Sequence, residues 1–319
     1  MSQNFYIIRI WLKFISTKTN IRVGFHVSIA GGISNSVDNA LKIGCSAFQI
    51  FTRNPRGWAA KPLVNEDVEK FRAKLAKSPI SPESVIVHMP YLPNLAAPEG
   101  ELYKKSGDTL VGEVQRCSML GVPSLVIHLG SHLGKGTEEG IGQLVKACNY
   151  ALDNYGKNTP SDSSQSKQKN NKKNVPVRIL LENMAGQKNS IGSKFEEISL
   201  LLDKLKPKGS FGVCLDTCHT FTSGYDLRKE RDVEKMLSQF DSTVGLKELK
   251  VLHLNDSKGD LNSRIDRHEH IGLGKIGKAG FAALLHHESL RNLPMIMETP
   301  VDKERSDAGN LKAVLDLLG

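Results

Sequence analysis

Residues 177–217 read VRILLENMAGQKNSIGSKFEEISLLLDKLKPKGSFGVCLDT. The stretch opens on a short apolar run, VRILLEN (177–183), and closes on another, FGVCLDT (211–217). Between them, KFEEISLLLDKL (194–205) places Phe195, Ile198, Leu201, Leu202 and Leu205 three or four residues apart, on one helical face. Runs that are apolar at nearly every position suit strands covered on both faces. The spacing therefore predicts a strand, a crossover helix and a second, parallel strand.

The same rhythm extends in both directions. Further strand-like runs are VGFHVS (23–28), AFQIFT (47–52), VIVHM (85–89), SLVIHLG (124–130), KVLHLND (250–256) and MIMET (295–299). Helical patterns lie between them: NSVDNALKIG (35–44), EDVEKFRAKLAKS (66–78), GELYKKSGDTLVGEVQRCSMLG (100–121) and KAGFAALLHHESL (278–290). Eight strands alternating with helices predict an α/β fold, a single-domain (β/α)₈ TIM barrel over residues 22–319. A doubly wound open sheet is the other arrangement of such units. A barrel of this type takes ~250 residues, and the chain has 319.

Two segments break the rhythm. Residues 156–176 (GKNTPSDSSQSKQKNNKKNVP) are Ser-, Asn- and Lys-rich and predict a disordered insertion. The KQKNNKK stretch within it reads as a solvated basic loop, with a nuclear signal as the sharper alternative. Residues 1–21 form an N-terminal extension, acid-free and partly apolar, which reads as a targeting segment or as an extra helix. Residues 1–22 contribute four positive charges and residues 156–176 another four; subtracting both from the net +9 leaves +1 for the rest. The basic balance is thus a property of two appendages and does not define a nucleic-acid-binding face.

With 39% hydrophobic and 24% charged residues the composition is globular. No apolar run approaches the ~18–20 residues of a membrane span, so no membrane partner is expected. Five cysteines, odd in number and without a CxxC pair, argue against a disulfide framework and for a reducing, intracellular setting. The extension and the Lys-rich insertion point to the mitochondrion and/or the nucleus in a eukaryote, and the expected location in a prokaryote is the cytoplasm.

The strand ends carry the chemistry. His88, His128, Glu182, Asp216, His253 and Glu298 lie at or near the C-terminal ends of six consecutive runs. In a barrel these ends share one rim, where active sites form. A His or Glu at one strand end is commonly a hydrogen-bonded structural residue. Six converging imidazoles and carboxylates would repel or stay unpaired unless a cation gathered them. Nitrogen and carboxylate donors suit a borderline divalent ion such as zinc. His219 follows Asp216 in DTCH (216–219), and Asp266 and His268 form DRH, where i and i+2 share a side in extended chain. Nine ligands exceed the usual four of one zinc, so two or three ions are implied. A phosphodiester is a fitting substrate for such a site. His270 reads as a supporting or solvent residue, and His26, His132, His286 and His287 as structural, the last two on an outer helix.

HVSIAGG (26–32), FTRNPRGW (51–58), VIVHMPYLPNLA (85–96), IHLGSHLG (127–134), LENMAGQ (181–187), CLDTCHTFTSGYD (214–226), HLNDSKGDLNSRIDRHEHIGLGKIG (253–277) and METP (297–300) resemble, in order, the motifs of the endonuclease IV family of abasic-site DNA repair enzymes. The resemblance implies a (β/α)₈ barrel with three Zn2+ per chain. One ion would take His88, His128 and Glu182. A second would share Glu182 and add Asp216, His253 and Glu298. The third would take His219, Asp266 and His268. It implies catalytic roles for Glu182, bridging beside a metal-bound hydroxide nucleophile, and for Glu298. The expected reaction is hydrolysis of the phosphodiester 5′ of an abasic site in double-stranded DNA, leaving a 3′-hydroxyl and a 5′-deoxyribose phosphate. Cleaning of damaged 3′ ends is a related expectation, and a monomer is expected. Arg56 and Tyr91 match DNA-contacting positions, Lys258 in NDSK is a weaker candidate for a phosphate contact, and flipping is least costly where a base is missing. Gly57 departs from the pattern, since many relatives carry a gap-filling side chain there. The alternative is a single-metal sugar isomerase or epimerase using Glu182, Asp216, His253 and Glu298. A catalytically silent DNA-lesion binder is a third class.

Overall fold

The computed structural model describes residues 21–155 and 176–319. The expectations for the extension 1–21 and the insertion 156–176 lie outside these residues, apart from Ile21 and Pro176. Eight parallel strands close into a barrel: β1 (Arg22–His26), β2 (Ala47–Ile50), β3 (Val85–His88), β4 (Ser124–His128), β5 (Arg178–Glu182), β6 (Phe211–Asp216), β7 (Leu249–His253) and, after two short strands, β10 (Pro294–Met297). Each pairs with its sequence neighbours in the barrel, and β10 closes on β1. The short strands β8 (Asp256–Ser257) and β9 (His268–Glu269) pair antiparallel as a ribbon on the rim.

Helices α1 (Asn35–Ile43), α2 (Asn65–Lys77), α3 (Glu101–Leu120), α4 (Thr137–Asn154), α5 (Phe195–Lys204), α6 (Thr217–Thr222), α7 (Glu230–Thr243), α8 (Gly277–His286) and α9 (Asp307–Leu318) follow the strands. All but the short α6 form the outer layer typical of this fold. Helix α8 stops at His286 rather than running to Leu290, because His287 turns extended (φ −69°, ψ 125°). The His287 imidazole then faces Glu234 of α7 at 3.3 Å. Helix α1 ends at Gly44, whose φ of 95° lets its N–H reach Ala40 O and Leu41 O.

Side chains alternate across the barrel wall, as strand geometry requires. Residues such as Phe25, Phe48, Val87, Ile127, Leu181, Leu215, Leu252 and Met297 face the large core beneath the helices. The other face fills the barrel with Ala47, Ile86, Val126, Leu180, Cys214, Val251 and Ile296, one from each of seven strands. Gly24 of β1 occupies the equivalent place. A Cβ there would lie 1.7 Å from Ala47 O, so only glycine fits. Ladder partners Gln49–Ile86, His88–Val126, Glu182–Cys214 and His253–Ile296 each advance by two residues. These four offsets together give the stagger of about eight that closes an eight-stranded barrel.

All five cysteines are free and buried. Among the described residues no helix is long and apolar enough to cross a membrane.

Candidate metal centre

Two residues beyond each member of the interior ring the strand again points inward, now at the mouth. Those positions hold His26, Gln49, His88, His128, Glu182, Asp216, His253 and Glu298. The plug beneath is apolar, so these polar groups have only one another, the rim loops and whatever enters the mouth as partners.

The nine residues expected as ligands fall into three groups whose donor atoms lie within 4.8 Å of one another. His88, His128 and Glu182 form the first; Glu182, Asp216, His253 and Glu298 the second; His219, Asp266 and His268 the third. Glu182 belongs to two groups and divides its oxygens between them. Its Oε2 faces His88 Nε2 at 3.0 Å and His128 Nε2 at 3.2 Å. Its Oε1 faces His253 Nδ1 at 2.9 Å.

Asp216 and His219 meet through a helix start. Asp216 is the N-cap of α6, and its Oδ1 accepts the His219 N–H at 2.7 Å. The imidazole thereby turns toward the rim, where Asp266 Oδ1 lies 3.1 Å from its Nε2. His268, on β9, brings its Nε2 to 3.4 Å from the same oxygen. Burial opposes charge on His219, but Asp216 and Asp266 outweigh it and raise its pKa to about 10. His268 rises to about 9 against the same burial cost, mainly through Asp266. Burial pushes the Asp266 carboxyl up, yet its contacts with His219 and His268 hold it well below the usual range.

The donor set fits divalent ions. His219 Nε2 and His268 Nε2 are buried and lack a hydrogen-bond partner, although Asp266 lies between them. Buried nitrogens without an aligned hydrogen-bond partner are costly unless something else binds there. The opposite ring nitrogens explain the arrangement. His88 Nδ1 lies 2.6 Å from Met89 O, His219 Nδ1 2.8 Å from Asn183 O, and His268 Nδ1 3.1 Å from Glu298 O. A carbonyl oxygen only accepts, so each Nδ1 holds its proton, and Nε2 is the atom that faces the cluster and offers a lone pair once an ion displaces any proton there.

Three supporting residues escaped the sequence reading. Asn183 accepts the Asp216 N–H at 2.7 Å and donates to Thr220 Oγ1 at 3.1 Å. Asn255 donates to Asp216 Oδ2 at 2.6 Å and accepts the Glu298 N–H at 2.7 Å. Gln49 touches His253, Glu298 and His26 together. His26, read from sequence as structural, is therefore part of the mouth. His270 does not face solvent: it is buried, with Nε2 at 2.9 Å from Asp302 and Nδ1 at 2.9 Å from Asn310. Glu269 and Glu304 lie near it, but both its nitrogens are spent. Cys218 lies beside Asp216 and His268, yet burial pushes its thiol pKa up and keeps it a poor ligand.

The residues expected to touch DNA lie on the same side. Tyr91 is exposed, with its ring 5.1 Å from Phe51 and about equally distant from His88 (6.1 Å) and His128 (6.0 Å). Arg56 is exposed on the β2–α2 loop, its N–H bonded to Asn54 Oδ1. That loop is fastened from below. Glu113 of α3, fully buried, accepts from Arg53 Nε at 2.6 Å and Thr52 Oγ1 at 2.7 Å. Lys258 Nζ stands 3.7 Å from Glu269 Oε2, an ion pair on the rim.

The xylose isomerase-like TIM barrel family matches residues 37–318. A relative from Cenarchaeum symbiosum, named probable endonuclease 4, is 52% identical over 299 residues, covering 94% of this chain and 100% of its own. One of the same name from Nitrosopumilus maritimus is 50% identical, covering 92% and 98%. The crystal structure of endonuclease IV from Thermus thermophilus superposes with a TM-score of 0.77 at 35% identity, over 93% of this chain and 98% of that one. A D-tagatose 3-epimerase-like protein, 15% identical with a TM-score of 0.66, shares the fold. The chain belongs to the endonuclease IV family of abasic-site DNA repair endonucleases, hydrolases built on the xylose isomerase-like TIM barrel.

Proposed function

We propose that this chain is a zinc-dependent endonuclease that hydrolyses the phosphodiester 5′ of an abasic site in duplex DNA. The products are a 3′-hydroxyl and a 5′-deoxyribose phosphate, and the same site clears blocked 3′ ends. It acts as a monomer with three zinc ions. The observation that carries the reading is Glu182, whose two oxygens serve two adjoining ligand groups.

His88, His128 and Glu182 would hold one ion, Glu182 with Asp216, His253 and Glu298 a second, and His219, Asp266 and His268 a third. When bound, the ions supply Lewis acidity at phosphoryl oxygens and bring the pKa of water down to ~7. Four carboxylates bring fewer negative charges than three divalent ions carry positive, so the loaded mouth suits an anionic ester. The chain's own residues fix the geometry. Glu182 holds the first two groups at one spacing, and Asn255 holds Asp216 and Glu298 together. Tyr91 and Arg56 stand where the duplex would enter, Arg56 as a phosphate contact and Tyr91 as a flat surface beside the cluster. Lys258, tied to Glu269, is a second phosphate contact.

Purified zinc-replete protein should nick a duplex bearing one tetrahydrofuran abasic analogue on its 5′ side. Intact DNA after incubation rejects the reading. The second reading, a sugar isomerase or epimerase, draws on the four residues of the Glu182–Asp216–His253–Glu298 group, which alone could hold one ion. The other two groups have no task in that chemistry. One metal per chain with turnover of a free ketose would favour it.

A further inference from the structure

Gln49 is fully buried at the mouth and makes three hydrogen bonds to three different groups. Its Nε2 lies 2.7 Å from Glu298 Oε1 and 3.0 Å from His26 Nδ1. Its Oε1 lies 2.9 Å from His253 Nε2. The neighbours dictate this orientation of the amide. Flipped, the oxygen would face the Glu298 carboxylate, two acceptors with no proton between them. As oriented, Oε1 can only accept, so His253 carries its proton on Nε2. Its Nδ1 is then the atom left for an ion, facing Glu182 Oε1 at 2.9 Å, Glu298 Oε2 at 3.4 Å and Asp216 Oδ2 at 3.9 Å. The same amide occupies Glu298 Oε1 and leaves Oε2 turned to the cluster.

We propose that Gln49 is a positioning residue for the second metal, fixing at once the ring of His253 and the oxygen that Glu298 presents. The inference rests on the metal-bearing reading of the site. His88, His219 and His268 take their orienting acceptor from backbone carbonyls, which no substitution removes. His253 takes its acceptor from a side chain. Of these four imidazoles, the one in the second group is thus oriented by a side chain that is not itself a ligand. Removing such a partner typically costs about 10–100-fold in metal affinity.

The experiment uses full-length protein loaded with zinc and labelled with 15N-histidine. In the wild type, His253 should show a hydrogen-bonded proton on Nε2 and zinc on Nδ1. Gln49→Met keeps the length of the side chain without its hydrogen-bonding groups. One bound ion should become about 10–100-fold easier to remove with a chelator, the others unchanged, at an unaltered far-ultraviolet circular dichroism spectrum. Zinc on Nε2 of His253 in the wild type overturns the proposal, whether or not the variant folds. So does a Met variant that retains every ion as tightly as the wild type. Wild-type protein that takes up no zinc defeats the metal reading itself, and with it this inference, before any substitution is made.

Discussion

Asp216 Oδ1 accepts the backbone N–H of His219 at 2.7 Å, so one ligand of the second group orients a ligand of the third. The remaining oxygen, Oδ2, accepts from Asn255. Asn substitutes well for Asp as an N-cap, so Asp216→Asn should leave α6 intact while removing a ligand charge. Incision should fall by more than the ~10–100-fold typical of losing an outer partner, with zinc content reduced. Elemental analysis and incision kinetics on the same sample check this. Unchanged zinc content and rate would remove Asp216 from the site.

Glu182→Gln tests the shared ligand. An amide cannot present a charged oxygen to each of two groups, and its NH₂ would oppose one set of imidazoles. Cleavage of the abasic duplex should vanish while the circular dichroism spectrum stays that of the barrel. Wild-type turnover in this variant would show that Glu182 bridges nothing of consequence.

The third group should load zinc in a pH-dependent way. Burial disfavours charge on its imidazoles, but the neighbouring carboxylates raise His219 from 6.5 to about 10 and His268 from 6.5 to about 9. A raised pKa means the proton is held to higher pH, and zinc must displace it. Affinity at this group should therefore climb as pH rises from 6.5 toward 9 and weaken on acidification. Chelator competition across that range measures it; a flat profile contradicts the expectation.

Glu113→Gln should loosen the loop that carries Arg56. The buried carboxylate pairs with Arg53 at 2.6 Å, and breaking one partner of such a pair costs about 3–5 kcal/mol. Chemical denaturation should register that loss. The KM for abasic duplex should rise with zinc content unaffected, since none of the ligands lies on this loop.

Arg56→Ala should weaken duplex binding without altering zinc content. If Arg56 neutralises one phosphate, the slope of log affinity against log salt should become shallower by about one. An identical slope in the variant would take Arg56 out of the interface.

The barrel was legible because parallel strands buried on both faces leave long apolar runs, and the structure places each strand within three residues of its run. Ligand types at the ends of six runs, such as His88 and Glu182, were legible for the same reason. Gln49 was not, because an amide is no metal ligand and its use appears only when His253 and Glu298 arrive from strands far along the chain. Its signal was positional: Gln49 stands two residues after the interior Ala47, as His88 stands two after Ile86. His26, two after Gly24, was hidden because glycine leaves no apolar mark. Helix α6 went unseen because its threonine-rich stretch, Thr217–Thr222, is a poor helix former held by its Asp216 cap. The ribbon of β8 and β9 is too short and too polar to leave a pattern.

The two-residue step from plug to mouth sets what this scaffold can tolerate. Exchanging one mouth residue for another alters chemistry and leaves the stopper of Ile86, Val126, Leu180 and Ile296 undisturbed. Losing or gaining a single residue within a strand does the reverse: it turns a coordinating group outward under the helices and drives an aliphatic one into the cavity. New activities on this frame are thus reachable by replacement of side chains more readily than by changes in strand length.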